Sequence, residues 1–248
     1  MATTIRLKDV NFDNPSLPLV TPLVRDGLQA AFRFHKDSSN NFVDLSGNGA
    51  TLSGTGLATF SDNGVLLNDL QMAMDVNQSS EWNGVTLIAL SKDIGDTSVI
   101  ESFVLGNWST AGALMTWIRD AAYPDQTIFN LVTKTTTLDG LTNTKRTLRH
   151  TLPTGHGEYI FHAITISEDS GKTTLSLYLP QYQDGAIASV TYDETWTDHT
   201  QAFAFGGSGN PVECCEGLVY NKALSPSQIK RQFELTQGWF KTVSGISI

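Results

Sequence analysis

Short apolar runs, separated by clusters of Gly, Pro, Asn, Asp and Ser, recur through most of this chain, and sustained helical periodicity is scarce. Such a pattern predicts many strands of modest length. Leu28-Gln-Ala-Ala-Phe-Arg-Phe34 alternates like a strand, and Ala58-Thr-Phe60 is strand-like. Between them Asp44-Leu-Ser-Gly-Asn-Gly49 is dense in residues that bond their own backbone or accept left-handed conformations, so it predicts a turn. The best pair is Tyr159–Ile166 with Lys172–Leu179, joined by the hairpin-length Ser167-Glu-Asp-Ser-Gly171. The first member is apolar on both faces and reads as a central strand, while Leu175, Leu177 and Leu179 share one face of the second. Further strands are expected at Val85–Leu90, Ser98–Leu105, Leu114–Ile118, Thr127–Thr133 and Ala202–Gly207, with the Thr-rich stretch 134–147 either a long hairpin or an exposed loop.

Helical signals concentrate at one place. Ser225 can cap a helix, Pro226 has its φ preset for the first helical position, and Gln228 completes a capping box. Leu224 and Ile229 form a staple, and Ile229 with Phe233 gives one apolar stripe, so a short surface helix over 225–236 is expected to lie against a larger body. At the other end, residues 1–26 are polar and carry Pro15, Pro18 and Pro22, which predicts an extended N-terminal arm before a single compact domain over 27–248.

With 248 residues, 40% of them hydrophobic, the chain can bury a full core. A formal charge of −9 argues against nucleic acid and against an anionic membrane surface, and no run approaches membrane-spanning length. The opening residues lack the apolar core of a signal peptide, which predicts folding in a cytoplasm. Cys214 and Cys215 are neighbours whose side chains alternation sends to opposite faces, so they read as reduced thiols, at least one in the core.

In chain order, Gly27–Phe34, Asp44–Gly49, the Tyr159–Leu179 hairpin, Phe205-Gly-Gly207 and Gly217–Ile229 resemble the landmarks of concanavalin A-like, laminin-G-type jelly-roll domains. The resemblance implies an all-β fold, a two-sheet antiparallel jelly-roll sandwich, with ligands on its concave face or rim loops. A second resemblance, of Met1-Ala-Thr-Thr-Ile-Arg-Leu-Lys-Asp-Val-Asn-Phe12 to the openings of some tailed-bacteriophage virion proteins, implies a virion component assembled in the bacterial cytoplasm.

Glycan-cleaving relatives of this fold carry two Glu and an Asp alternating along one strand, and no such run exists here. Glu213 and Glu216 have an odd spacing that would place them on opposite faces of a regular strand, as solvated or capping groups. The five histidines are scattered, and His162 reads as a hydrogen-bonded core residue. Catalysis is therefore not expected, and no cofactor is required. Laminin-G-like domains often hold calcium with Asp and Asn, which makes Asp44 and Asn48 candidate ligands, although both could simply bond their own turn.

Sugar recognition combines an aromatic platform with polar groups that satisfy hydroxyls. Trp82, Trp108, Tyr123 and Trp196 stand in polar or loop-like surroundings and are the platform candidates; Trp117 and Trp239 read as more buried. The expected function is attachment of a virion to a cell-surface glycan, with the arm docking on other virion proteins and a homo-oligomer supplying many copies. The alternatives are a purely structural decoration or connector protein and a polysaccharide-cleaving enzyme.

Overall fold

The computed structural model describes residues 23–248 except 37–40, 68–70, 78, 80, 95–100, 108–112, 121–122, 138, 141–142, 153–156, 197–201, 207–210 and 246–247. Its strands are β1 (Leu28–Arg33), β2 (Leu52–Ser53), β3 (Thr59–Phe60), β4 (Val65–Leu67), β5 (Gln71–Asn77), β6 (Gly84–Asp93), β7 (Glu101–Gly106) and β8 (Ala113–Asp120). They continue with β9 (Tyr123–Thr137), β10 (Asn143–Leu152), β11 (Ile160–Asp169), β12 (Lys172–Tyr178), β13 (Ala188–Tyr192), β14 (Glu194–Trp196), β15 (Ala202–Gly206) and β16 (Val212–Tyr220), before the helix α1 (Pro226–Val243). Two antiparallel sheets result. Sheet A runs β13-β12-β11-β6-β16-β4-β3, with β1 also on β16, and sheet B runs β10-β9-β8-β7-β15-β5-β2, with β14 also on β9. The fold is an all-β sandwich with one helix near the C-terminus.

Sheet A is covered twice. Its inner side packs on sheet B through Phe32, Leu87, Ile164, Leu175 and Phe205, while its outer side packs on α1 through Ala31, Ile88, Phe161, Leu218, Ile229 and Phe240. Coverage of both faces explains why β16 is buried at every position and β6 at nine of its ten, and why Leu87–Leu90 and Leu218–Tyr220 are unbroken apolar runs. Cys214 and Cys215 divide between the two cores, as alternation requires. Burial pushes both thiols well above their ordinary range, which leaves them unreactive.

The capping box at Ser225 and Gln228 is present. The helix runs seven residues past the expected end at 236, because its buried face continues through two polar residues, Gln232 and Thr236, to Phe240. Those polar positions interrupt the apolar stripe and hide the helix's length from a hydrophobicity reading. The hairpin between β11 and β12 is tighter than expected. Asp169 pairs Lys172, so the turn is only Ser170-Gly171, with φ of 52° and 77° at the two central positions, as a type I′ turn demands. The stretch 134–147 is a long hairpin, in which Asn143–Leu152 pairs residue for residue with Thr127–Thr136. The short, polar strands β13 and β14 had no apolar pattern to announce them.

Residues 23–26 already belong to the body. Leu23 is buried against α1, the Val24 N–H donates to Gln232 Oε1 (2.8 Å), and Asp26 pairs with Lys222. The remainder of the expected arm lies outside the described residues.

Neither Glu213 nor Glu216 is solvated. A bulge between Cys214 and Glu216 shifts the register of β16 and turns Glu216 beneath α1, where it is fully buried against Arg33 (2.6 Å) and accepts from the Thr236 hydroxyl. Glu213 is 4% exposed and accepts from the hydroxyls of Ser61 and Tyr159. Regular alternation failed here because the bulge was invisible in the sequence.

His162 is fully buried beside Trp117, whose indole donates to Ser91 Oγ (2.8 Å), itself 3.4 Å from His162 Nε2. Burial pushes its imidazole down to about 3. With the folded value below the unfolded one (about 6.5), the unfolded chain takes the proton first. The contribution is complete above that unfolded value and is lost as pH falls towards the folded value. Between pH 7 and pH 5 we expect urea unfolding to lose about 2 kcal/mol through this group, with a flatter profile in His162→Gln.

Candidate functional site

A cleft of about 310 Å³ opens where β1 of sheet A approaches β2 and β5 of sheet B. Trp82, Asp75, Gln29, Asn48 and the backbone-exposing Gly49 line it together with Ala50 and Val76. Each side chain is positioned by local chemistry. Trp82 follows a turn closed by its own N–H on Ser79 O (3.0 Å), and its half-buried indole stacks on Phe203 at 12° with ring centres 6.1 Å apart. The ring is thereby braced from the core side while its remaining surface lines the cleft.

Asp75 is exposed near the end of β5. Thr51 clamps it, donating its N–H to Oδ1 (2.6 Å) and its hydroxyl to Oδ2 (2.9 Å). The backbone bond from Thr51 is the main reason that its carboxyl titrates below the usual range, so it is an anion throughout the neutral region. Asn48 donates its Nδ2 to Leu28 O (2.7 Å) and Gln29 O (3.2 Å), which fixes the amide and leaves Oδ1 as its free acceptor. Gln29 Nε2 is held only by long contacts of 3.3 and 3.4 Å to Gly27 O and Leu28 O, so it can turn to a better acceptor.

The candidates from sequence divide clearly. Trp82 lines the cleft. Trp108 and the side chain of Tyr123 lie outside the described residues. Trp196 does not act as an exposed platform: it is 7% exposed, alternation along β14 points it inward, and its indole N–H donates to Thr133 Oγ1 (3.1 Å). Trp117 is buried as expected, whereas Trp239 is only partly so, with Arg33 Cζ 4.7 Å from its ring centre. Asp75 and Gln29 escaped the sequence reading. They reach the cleft only through strand pairing, and no local motif marks either one.

Asp44 and Asn48 do not fit a calcium ion. Asp44 Oδ1 accepts from the N–H groups of Ala31 (3.0 Å) and Ser46 (2.9 Å), and Oδ2 accepts from Ser46 Oγ (2.6 Å) and the Ala50 N–H (3.1 Å). Four donors occupy its lone pairs, and a cation would have to displace them. The pair instead ties the Asp44–Gly49 turn to β1. Among the described residues no group of three His, Cys, Asp or Glu is placed to hold a metal.

Known proteins resemble this chain in shape rather than in sequence. No family model matches it, and no curated protein matches it by sequence. Among solved structures, the binding domain of botulinum neurotoxin DC in complex with SialylT aligns with a TM-score of 0.60 at 11% identity, over 85% of this chain and 52% of that one. The same toxin's binding domain in complex with rat synaptotagmin II gives 0.59 at 10% identity, over 84% and 51%. Trypanosoma rangeli sialidase gives 0.50 at 15%, over 86% and 33%. The chain thus spans about half the length of the toxin structures it matches. At these identities the likeness is one of fold, that of a two-sheet antiparallel sandwich.

Proposed function

We propose that this chain is a non-catalytic, lectin-like module that binds a cell-surface glycan at the Trp82 cleft. The observation that carries the reading is the convergence, in one open depression, of a braced indole with a carboxylate and two side-chain amides. An aromatic face covers the C–H side of a pyranose, and fixed acceptors and donors satisfy its hydroxyls. Two structural neighbours, a toxin binding domain in complex with SialylT and a sialidase, support carbohydrate as the ligand class by analogy of fold.

Absence of catalysis is part of the proposal. Glycoside cleavage needs two carboxyl groups facing one bond, and Asp75 is the single acid among the described residues lining the cleft. Glu194 is buried against Arg146 and Thr135, Glu213 is buried against Ser61 and Tyr159, and Glu216 is buried beneath α1. The opening residues support a place in a tailed-phage virion, assembled in the bacterial cytoplasm, with the arm docking on other virion proteins and several copies summing weak contacts into avidity. A structural connector is the second reading, favoured by the exposed Phe42 (38%) and Val43 (50%) on the loop after β1.

Trp82→Ala should lower saccharide affinity by about tenfold or more, the scale of one lost stacking contact. Titration of the folded variant against the best sugar from a glycan screen checks it. Unchanged affinity, or a screen that stays blank at high protein concentration, would transfer the case to the connector reading.

A further inference from the structure

We propose that the Trp82 cleft takes an uncharged sugar through a pair of adjacent hydroxyls and discriminates against acidic sugars. The inference rests on the carbohydrate reading above and adds the chemical class of the ligand.

The first argument is hydrogen-bonding capacity. A carboxylate only accepts, and each oxygen of Asp75 already takes one bond from Thr51, one from the main-chain N–H and one from the hydroxyl. Each oxygen retains a further lone pair, and the clamp fixes both, so the carboxylate can accept from two neighbouring hydroxyls of one ring. Asn48 adds an acceptor, because its amide nitrogen is bound to β1 carbonyls. Gln29 Nε2, on its long contacts, is the side-chain donor available to a hydroxyl oxygen. The ligand that matches this set is rich in hydroxyl donors, as a neutral pyranose is.

The second argument is charge. Among the described residues that line the cleft Asp75 is the one ionisable group, and none of them is Lys, Arg or His. A sialic or uronic acid carboxylate seated there would face a like charge with no cation to offset it. The chain as a whole, with 25 acidic and 16 basic residues, adds to that repulsion. Two charges a few ångströms apart at a protein surface interact strongly enough to separate affinities by about tenfold. The SialylT ligand of the structurally similar toxin domain therefore does not carry over to this cleft.

The test compares sugars that share ring and hydroxyls but differ in charge. Methyl glucoside and methyl galactoside are titrated beside glucuronic and galacturonic acid, with N-acetylneuraminic acid as a third acid. Wild type, Trp82→Ala and Asp75→Asn are used, each checked for an unchanged unfolding midpoint. The expected result is binding of a neutral sugar that Trp82→Ala abolishes, an acid counterpart weaker by about tenfold, and a gap that closes in Asp75→Asn or at high salt. An acid that binds wild type as tightly as its neutral parent, through Trp82, overturns the inference and leaves the glycan reading standing. If no sugar of either class depends on Trp82, the glycan reading itself fails and the inference with it. The wild-type and Trp82→Ala titrations decide between these outcomes should Asp75→Asn fold poorly.

Discussion

Replacing Glu216 by Ala is expected to destabilise the protein by about 3–5 kcal/mol, read as a lower urea midpoint, because it removes the carboxylate paired with a buried cation. Arg33 and Glu216 are 2% and 0% exposed, 2.6 Å apart, between sheet A and α1. The carboxylate also accepts from Thr236, whose hydroxyl takes a bond from Gln232 Nε2 (3.1 Å), and Gln232 in turn accepts from the Val24 N–H. One deletion thus disturbs a chain of polar contacts joining β1, β16, α1 and the segment before β1. The Trp239 ring beside Arg33 offsets only part of the loss. Replacing both partners, as Arg33→Met with Glu216→Leu, should restore most of the stability, since an apolar pair incurs no desolvation penalty. A loss below about 1 kcal/mol in the single variant would mean that water reaches the guanidinium and that this layer is not dry.

Gly217→Ala should cost about 3 kcal/mol, the upper part of the range for overpacking. A Cβ at this position would stand 2.0 Å from Phe205 Cε1 and 2.4 Å from its Cζ. The ring has no room to retreat. Phe205 is fully buried, with Phe32 and Phe34 meeting it at 86° and 84°, at centroid distances of 6.1 and 5.1 Å. The two sheets approach here as closely as they do because the residue opposite the ring has no side chain. A double-mutant cycle with Phe205→Leu checks this cause. In that background the Gly217→Ala penalty should shrink to about 1 kcal/mol or less, and strict additivity would point to backbone conformation instead.

What could be read from the chain depended on whether the signal was local. The capping box of α1, the β11–β12 hairpin and the Asp44–Gly49 turn carry their information locally, and all three form, the hairpin with a tighter turn than expected. Trp82, conspicuous as an indole in polar surroundings, lines the cleft, whereas Trp196, in similar surroundings, folds inward because β14 pairs with β9. Asp75 was not legible: its role comes from Thr51, 24 positions earlier, brought opposite by the pairing of β2 with β5. The bulge in β16 and the polar buried face of α1 were hidden for a related reason, since both are settled by what packs against them. Tertiary contacts selected among local options that the residues alone left open.

The order of assembly follows from the place of β16. This strand lies between β6 on one side and β1 and β4 on the other, yet it is the last strand in the chain. Until it is made, β1 has no neighbour in its sheet, one edge of β6 is bare, and the outer face of sheet A has no helix above it. The sheet can therefore close only once β16 is in place, and until then the apolar strands beside it stay unsheltered. Folding should be slow, on the millisecond-to-second scale of topologies dominated by distant pairings. During that interval the uncovered edge of β6 is open to pairing with a strand of another copy, which β16 forecloses once it docks.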